Sequence, residues 1–575
     1  MLTFSGFSFR RAWVWLFLCV CGGSVHMARA DRFEYPVGAT DEEIVEVSIS
    51  SFTESVPAYG VVTLKVEVRN HRRDAGQWMF RFEGFSSWDR KKEILSERRL
   101  RVEGDSVRTV QWEIPVFPGT ETRDAYQPRL NVVVSGPGAR GASRSLLNSG
   151  NAHSGNSNPT FVAVSPRLQV TRDDWNMEGI RQEIQNSRYA LTLSQYDPEL
   201  FPTSPTGLAG IDVFLISEEE WREFSPLHPL FHRWMTLGGK VIIMTDDQPR
   251  TESVGSGGIE WVAHGDEVNR IPAQLMSAST PQKRLADPRG YLAAGWSLRR
   301  QVPDISRPFG LLMVVVLVIA LLLGPLNLWS SFRKNNSLQV IWTTPALSVG
   351  LSVLVGIGIL FSDGFGGKGQ RSQVVLLLPE HQLEVTVQEQ VSRTGVLLNR
   401  GFTLPEATEI YPVATTAIHR GERRRYVEQA GGTWNGDWFA NRRIQAQVLQ
   451  RSRNSRSRVS FVEGGDSPSI LSTVDATFKR MLIRDAQGRM WWAEDVHAGA
   501  ATPLRAAGRK ESAELLAGLS TRESEAFPDR SMLQRHGWFY AEAVESDRYI
   551  DTLTSIRWRD RPVWFMGPLS EGGRP

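Results

Sequence analysis

The sequence predicts a multidomain α+β membrane protein: an immunoglobulin-like β-sandwich, an α/β domain with a parallel sheet, two transmembrane helices and a C-terminal β-rich domain. Three observations carry this. Runs of alternating or β-branched residues recur between 43 and 170, two continuous apolar runs flank a helix-like stretch between 211 and 244, and two long uncharged runs occupy 309–329 and 340–361. The 575 residues allow several domains, and 41% hydrophobic with 22% charged residues is a globular composition.

Residues 1–30 have the order of a secretory signal peptide. Arg10 and Arg11 precede the apolar run Ala12 to Cys21, and small residues lead to Ala28-Arg29-Ala30 before Asp31. The segment also holds both cysteines, Cys19 and Cys21, and no acid. Removing its three arginines from the 66 basic residues leaves 63 against 63 acidic ones. A neutral mature chain excludes a general polyanion binder, so no nucleic-acid partner is expected. A chain without thiols excludes a disulfide framework, a cysteine metal site and a cysteine nucleophile.

The first exported domain spans 31–165. Glu46–Ser50, Val61–Val68, Trp78–Phe82, Val107–Ile114 and Leu130–Val134 read as strands, separated by turn clusters such as Asn70 to Asp74. Gly136 to Pro159, rich in Gly, Ser and Asn, reads as a long exposed loop. Residues 166–300 form the α/β domain. Met177–Ser187 has helical spacing, and Ile211–Ile216 is an apolar run typical of a strand buried on both faces. A helix-like stretch with Trp221, Leu230, Phe231 and Trp234 then stops at Gly238-Gly239, and Lys240–Met244 begins a second buried strand. Together these make a βαβ unit.

Each uncharged run has about the 20 residues that cross a bilayer as a helix. The turn between them carries Arg333 and Lys334, as a cytoplasmic loop does. With an export signal ahead, both large soluble regions face the outer side of a bacterial inner (cytoplasmic) membrane, and the protein is multi-pass and periplasmic. Residues 371–575 return to β. Val374–Leu378, Leu383–Val391, Val459–Val462, Phe478–Arg484, Arg489–Ala493 and Trp538–Ala543 are the expected strands, with a hairpin turn at Asp485–Gly488 and a short helix at Ser512–Leu519.

Gly207 to Ile216 and His232 to Ile243 resemble the class I glutamine-amidotransferase-like domain. More broadly the chain is similar to a set of bacterial membrane proteins that join an outer β-sandwich, this flavodoxin-like α/β domain, a helix hairpin and a C-terminal β-domain. Gly324-Pro325-Leu326-Asn327 with Trp342-x-Thr344-Pro345 matches their hairpin pattern. True amidotransferases of the class carry a cysteine between glycines after such a strand. Here the stretch reads Met244-Thr245-Asp246-Asp247, so the resemblance implies the fold and argues against the reaction.

Candidate chemistry is sparse. Asp246 and Asp247 sit at the carboxyl end of a presumed parallel strand, where open α/β sheets place ligands. His228 and His232 are four apart and could share a helix face, although Pro229 lies between them and no glutamate completes a zinc-protease pattern, so no metal is expected. Ser467 in Gly464–Ser469 lacks a nucleophile elbow, and Gly364–Lys368 lacks phosphate-loop spacing. Between Arg420 and Arg458 stand ten arginines against Glu422, Glu428 and Asp437, interleaved with Trp434, Trp438 and Phe439. Arg423, Arg424, Arg425, Arg442 and Arg443 are the candidates for anionic-partner binding. The sequence therefore points to a non-enzymatic, membrane-anchored envelope protein that binds or scaffolds a protein partner without a cofactor. The competing reading is a periplasmic hydrolase with a ligand site near Asp246.

Overall fold

A computed structural model of the chain describes residues 33–37, 45–57, 59–85, 92–116, 129–137, 139–148, 160–168, 191–263, 298, 300, 302, 309–333, 339–413, 426–429, 432–462, 468–519, 530–544 and 548–571. The expected signal peptide at 1–30 and the helix at 177–187 lie outside the described residues. Among the described residues 52% are strand and 22% helix.

The first layers are two four-stranded antiparallel sheets. One runs Phe33–Val37, Val45–Ser51, Gly60–Asn70, Ser106–Val116 in spatial order; the other runs Lys92–Val102, Gly76–Phe85, Arg129–Gly136, Ala139–Asn148. Alternation explains the arrangement. In Val45–Ser51 every second residue is buried, and Val47, Ile49, Leu64 and Val66 meet Trp78, Phe80, Phe82 and Val132 in one core. The loop expected from Gly136 onward is corrected: Ala139–Asn148 pairs with Arg129–Gly136 as an edge strand.

The next sheet has the order Leu191–Gln195, Thr160–Val164, Val213–Ser217, Lys240–Thr245, Gly257–Ala263, Arg250–Val254. The first five strands are mutually parallel and the last returns antiparallel. The stretch read as one helix is two, Glu218–Glu223 and His228–Thr236, joined by a 3-10 turn at Ser225–Leu227. Pro226 and Pro229 supply the break, because each lacks an amide and suits only a first helical turn. These helices cover one sheet face with Trp221, Phe224, Phe231 and Trp234, and Phe52 from the preceding sheet joins that cluster.

The C-terminal region is built on a nine-stranded sheet whose centre is Ile444–Asn454, Leu383–Thr394, Gly367–Leu378, Ile556–Pro568 and Trp538–Ala543. Both faces are covered. One core holds Val385, Leu376 and Tyr540 under the helix Arg509–Leu519, and other cores hold Val375, Phe539 and Phe565, or Trp438, Phe439 and Leu449.

The expected membrane architecture is not what the structure supports. The first uncharged run is a 13-residue α-helix, Phe309–Leu321, a five-residue π-helical step, Leu322–Leu326, and a seven-residue helix, Asn327–Arg333. Pro325 sits inside the step and removes one ladder amide, and 13 residues at about 1.5 Å each fall short of a bilayer core of about 30 Å. In the helix Gln339–Asp363, side chains are described only over 341–353. Among the described residues no helix is long and apolar enough to cross a membrane. The fold class with two transmembrane helices, the membrane assignment and the multi-pass inner-membrane, periplasmic location are therefore withdrawn, and the chain is described as β-rich. The two motifs of the expected hairpin do meet: Asn327 donates to the Thr344 hydroxyl at 2.9 Å and accepts from Thr343 at 3.0 Å.

The sandwich and the parallel sheet are joined by a buried polar clasp. Asp212, fully buried, accepts from the Tyr59 hydroxyl and from the Phe161 amide at 2.9 Å. Burial first, then the Asp212 carboxyl, pushes the Tyr59 hydroxyl well above its ordinary range. Beside it Gly60 takes φ +85°, and a Cβ there would stand 2.4 Å from the Ala209 carbonyl oxygen. Tyr59→Phe removes a donor to a buried carboxyl and is expected to cost about 1–3 kcal/mol. Urea unfolding of the full chain checks this, and an unchanged midpoint would show that the clasp does not hold the two units together.

Candidate functional site

The carboxyl ends of the central parallel strands are at Ser217 and Thr245, which pair in adjacent rows, Ser217 with Met244. Ser217 caps the helix Glu218–Glu223: its hydroxyl accepts from the Glu220 amide and the Glu220 side chain reaches back to the Ser217 amide, a reciprocal box. Glu220 is buried and also accepts from the Tyr196 hydroxyl at 2.9 Å. Burial and the neighbouring Glu220 push that tyrosine hydroxyl up. Glu218 accepts from the Thr245 hydroxyl and pairs with Arg222 at 2.9 Å; these two partners, Thr245 first, hold its carboxyl below the usual range.

Asp246 and Asp247 follow Thr245 in an exposed turn. The Asp247 amide donates to the Thr245 hydroxyl at 3.0 Å, so Thr245 ties the turn to the helix start. His228 and His232 stand on the helix His228–Thr236 with ring centres 6.3 Å apart. The His228 ring stacks on Trp221 at 4.0 Å and 19°, and its Nε2 donates to the Trp221 carbonyl at 3.0 Å. His232 turns to the C-terminal sheet, where its ring centre lies 4.5 Å from that of His381. Burial first, then His381 and His228, pushes the His232 imidazole down to about 4. Among the described residues no group of three or more His, Cys, Asp or Glu side chains could hold a metal ion.

Of the anionic-partner candidates, Arg423, Arg424 and Arg425 lie outside the described residues, as does Ser467. Arg442 and Arg443 form a turn against Thr394 and Gly395: the Arg442 amide donates to the Gly395 carbonyl at 3.0 Å and the Arg443 amide to the Thr394 hydroxyl at 3.1 Å. Arg442 is exposed and takes φ 56°. Arg453 is structural, because with Arg548 it neutralises Glu384, which is 1% exposed. Sequence reading missed His381 and the glutamates of the cleft described below, since their neighbours lie far away in sequence and only the sheet order brings them together.

No protein family model matches the chain, and no curated protein matches it. Neither comparison supports the amidotransferase-like assignment. Among solved structures, a β-glucosidase from Erythrobacter marinus aligns at 16% identity and a TM-score of 0.14, covering 18% of this chain and 15% of that one. The putative ApaA protein from Bordetella pertussis aligns at 12% identity and a TM-score of 0.13, over 20% of this chain and 94% of that one. The yeast delta-COP-I mu-homology domain, solved with a Dsl1 WxWxV peptide, aligns at 6% identity and a TM-score of 0.17, over 36% and 96%. Likenesses at these scores carry no argument about fold or activity.

The His232 environment makes a pH prediction. An unfolded histidine titrates near 6.5. Between about 6.5 and 4 the unfolded chain therefore binds a proton that the folded one does not, so stability falls as pH drops through that window and is unaffected by this group above it. His232→Gln should flatten the dependence of the thermal midpoint on pH between 6.5 and 4. An identical slope in the variant would show that His232 is not held neutral.

Proposed function

We propose that the chain is a non-enzymatic binding or scaffold protein. One observation carries the reading: the polar groups at the carboxyl end of the parallel sheet bond to one another. Ser217 with Glu220, Glu220 with Tyr196, and Glu218 with Thr245 and Arg222 form closed pairs, each holding an element in place. A general base must reach the proton that it removes, and a nucleophile needs an adjacent base. His228 is stacked on Trp221, and His232 faces a second histidine in the contact between helix and C-terminal sheet. The chain's two cysteines, Cys19 and Cys21, are both in its first thirty residues.

The test is turnover by the purified chain on glutamine and on a p-nitrophenyl ester. The expected rate equals the blank at pH 5 to 9. Turnover that disappears in Asp246→Ala would overturn the reading in favour of a hydrolase.

A further inference from the structure

A cleft of about 820 Å³ lies where the sandwich, the parallel-sheet unit and the C-terminal region meet, and nothing above gives it a role. Its volume is within the range of small-ligand sites. Its walls come from three units: Arg99, Trp112 and Glu113 from the sandwich, the turn around Thr206, and Glu409, Tyr411 and Trp434 from the C-terminal region.

We propose that this cleft binds an uncharged oligosaccharide; the proposal deepens the binding reading above and rests on it. Two indoles contribute to the walls in fixed planes. Trp434 is half-buried and held edge-on by the buried Trp438, 5.2 Å away at 88°; Trp112 is half-buried and held edge-on by Phe80, 5.0 Å away at 68°. An indole offers an apolar face with little conformational entropy to lose, which suits the C–H face of a pyranose ring.

The carboxylates match the hydroxyls of such a ligand. Glu409 already accepts from the Thr206 hydroxyl at 2.6 Å and from the Tyr411 hydroxyl, and Glu113 accepts from the Ser204 hydroxyl. A carboxylate has about four acceptor positions, so a group of this kind can take more than one O–H donor. The Thr206, Tyr411 and Ser204 hydroxyls that bond to them are the donor chemistry that a sugar repeats. Arg99 is exposed on the same wall and offers donors.

Charge selects a neutral ligand. The charged lining residues are Glu97, Glu113 and Glu409 against Arg98 and Arg99, Glu97 is paired with Arg81 at 3.3 Å, and burial pushes the Glu409 carboxyl up, so the walls carry no strong excess of either sign. A polyanion would meet the carboxylates and a polycation the guanidiniums.

The experiment titrates the full chain with neutral tetrasaccharides built from glucose, mannose and N-acetylglucosamine, by calorimetry and tryptophan fluorescence. Saturable binding of at least one is expected, unchanged by added salt because the ligand carries no charge. Trp434→Ala should weaken it by at least about tenfold, as truncating a central aromatic contact does. Arg99→Gln, on an exposed side chain, keeps the test valid if Trp434→Ala fails to fold, and should weaken binding severalfold. Absence of binding by every neutral sugar, or binding untouched in folded variants at both positions, would overturn the site while leaving the scaffold reading standing. Hydrolysis of the bound sugar would instead overturn the non-enzymatic reading and keep the site.

Discussion

Asp212 ties the sandwich to the parallel sheet. Its carboxyl is fully buried and takes a hydroxyl from the sandwich, Tyr59, and an amide from the neighbouring parallel strand, Phe161. Its own backbone continues the sheet: the amide donates to Phe161 and the carbonyl accepts from Lys240. A buried carboxyl without partners is expensive, so the pair holds the two units in one relative position better than apolar contact alone would. The aromatic cluster then follows. Phe52 from the sandwich lies 5.1 Å from Phe201 and 6.4 Å from Phe214, and the segment 201–210 is wedged between the units. From that segment Ser204 and Thr206 reach Glu113 and Glu409, and the third unit is held further by a shared core, by His232 against His381 and by Arg233 bonded to Asn454.

The C-terminal sheet uses the same device on a larger scale. Gln388 bonds both the amide and the carbonyl of Ile550, Gln373 bonds the Arg548 carbonyl, and Gln390 bonds Gln447 and Thr552. These glutamines lie on the face that Arg548 to Thr552 crosses, so a segment without regular structure has its backbone groups satisfied by side chains. Arg371 completes the arrangement with Asp560 in a two-bond fork and with Asp551 at 3.0 Å, its guanidinium 4.7 Å from the Tyr549 ring centre. Of the arginines between 420 and 458, Arg453 is held in such a pair, with the buried Glu384.

Strands with clean alternation were legible. Val61–Val68 lies inside Gly60–Asn70, and the runs at 211 and 240 became parallel neighbours with Val213 opposite Lys240. The strands that escaped carry charge on one face. Lys92–Val102 holds three arginines, two glutamates and a lysine, and its core residues Leu100 and Val102 are too few to signal period two. Ile444–Asn454 was hidden inside the arginine cluster, and Ile556–Pro568 by Pro562, which the sheet accommodates with a register shift opposite Arg371 and Gln373. The apolar runs misled for the opposite reason: hydropathy registers composition, whereas the helical step at Leu322–Leu326 depends on where one proline falls. Asp246, Asp247, His228 and His232 were legible as positions on the fold, but their partners were not. His381 comes to His232 from about 150 residues away, and no local pattern announces it.

The closed carboxyl end and the open cleft are two consequences of one construction. Parallel sheets ordinarily leave a crevice beyond their strand ends, because the loops there have no other task. Here Ser217 and Thr245 anchor the helix start and the turn at Asp246, which leaves those loops committed to structure. Open space lies instead at the seam of the three units, beside the cores that Phe52 and Val61 of the sandwich share with its neighbours. A ligand held there touches all three at once. By mass action any such ligand favours the assembled arrangement over one in which the Ser204–Glu113 or Thr206–Glu409 bond has opened. On the proposed reading, binding and scaffolding would be one property, because the contacts that recognise the ligand would lie beside those that hold the units in register.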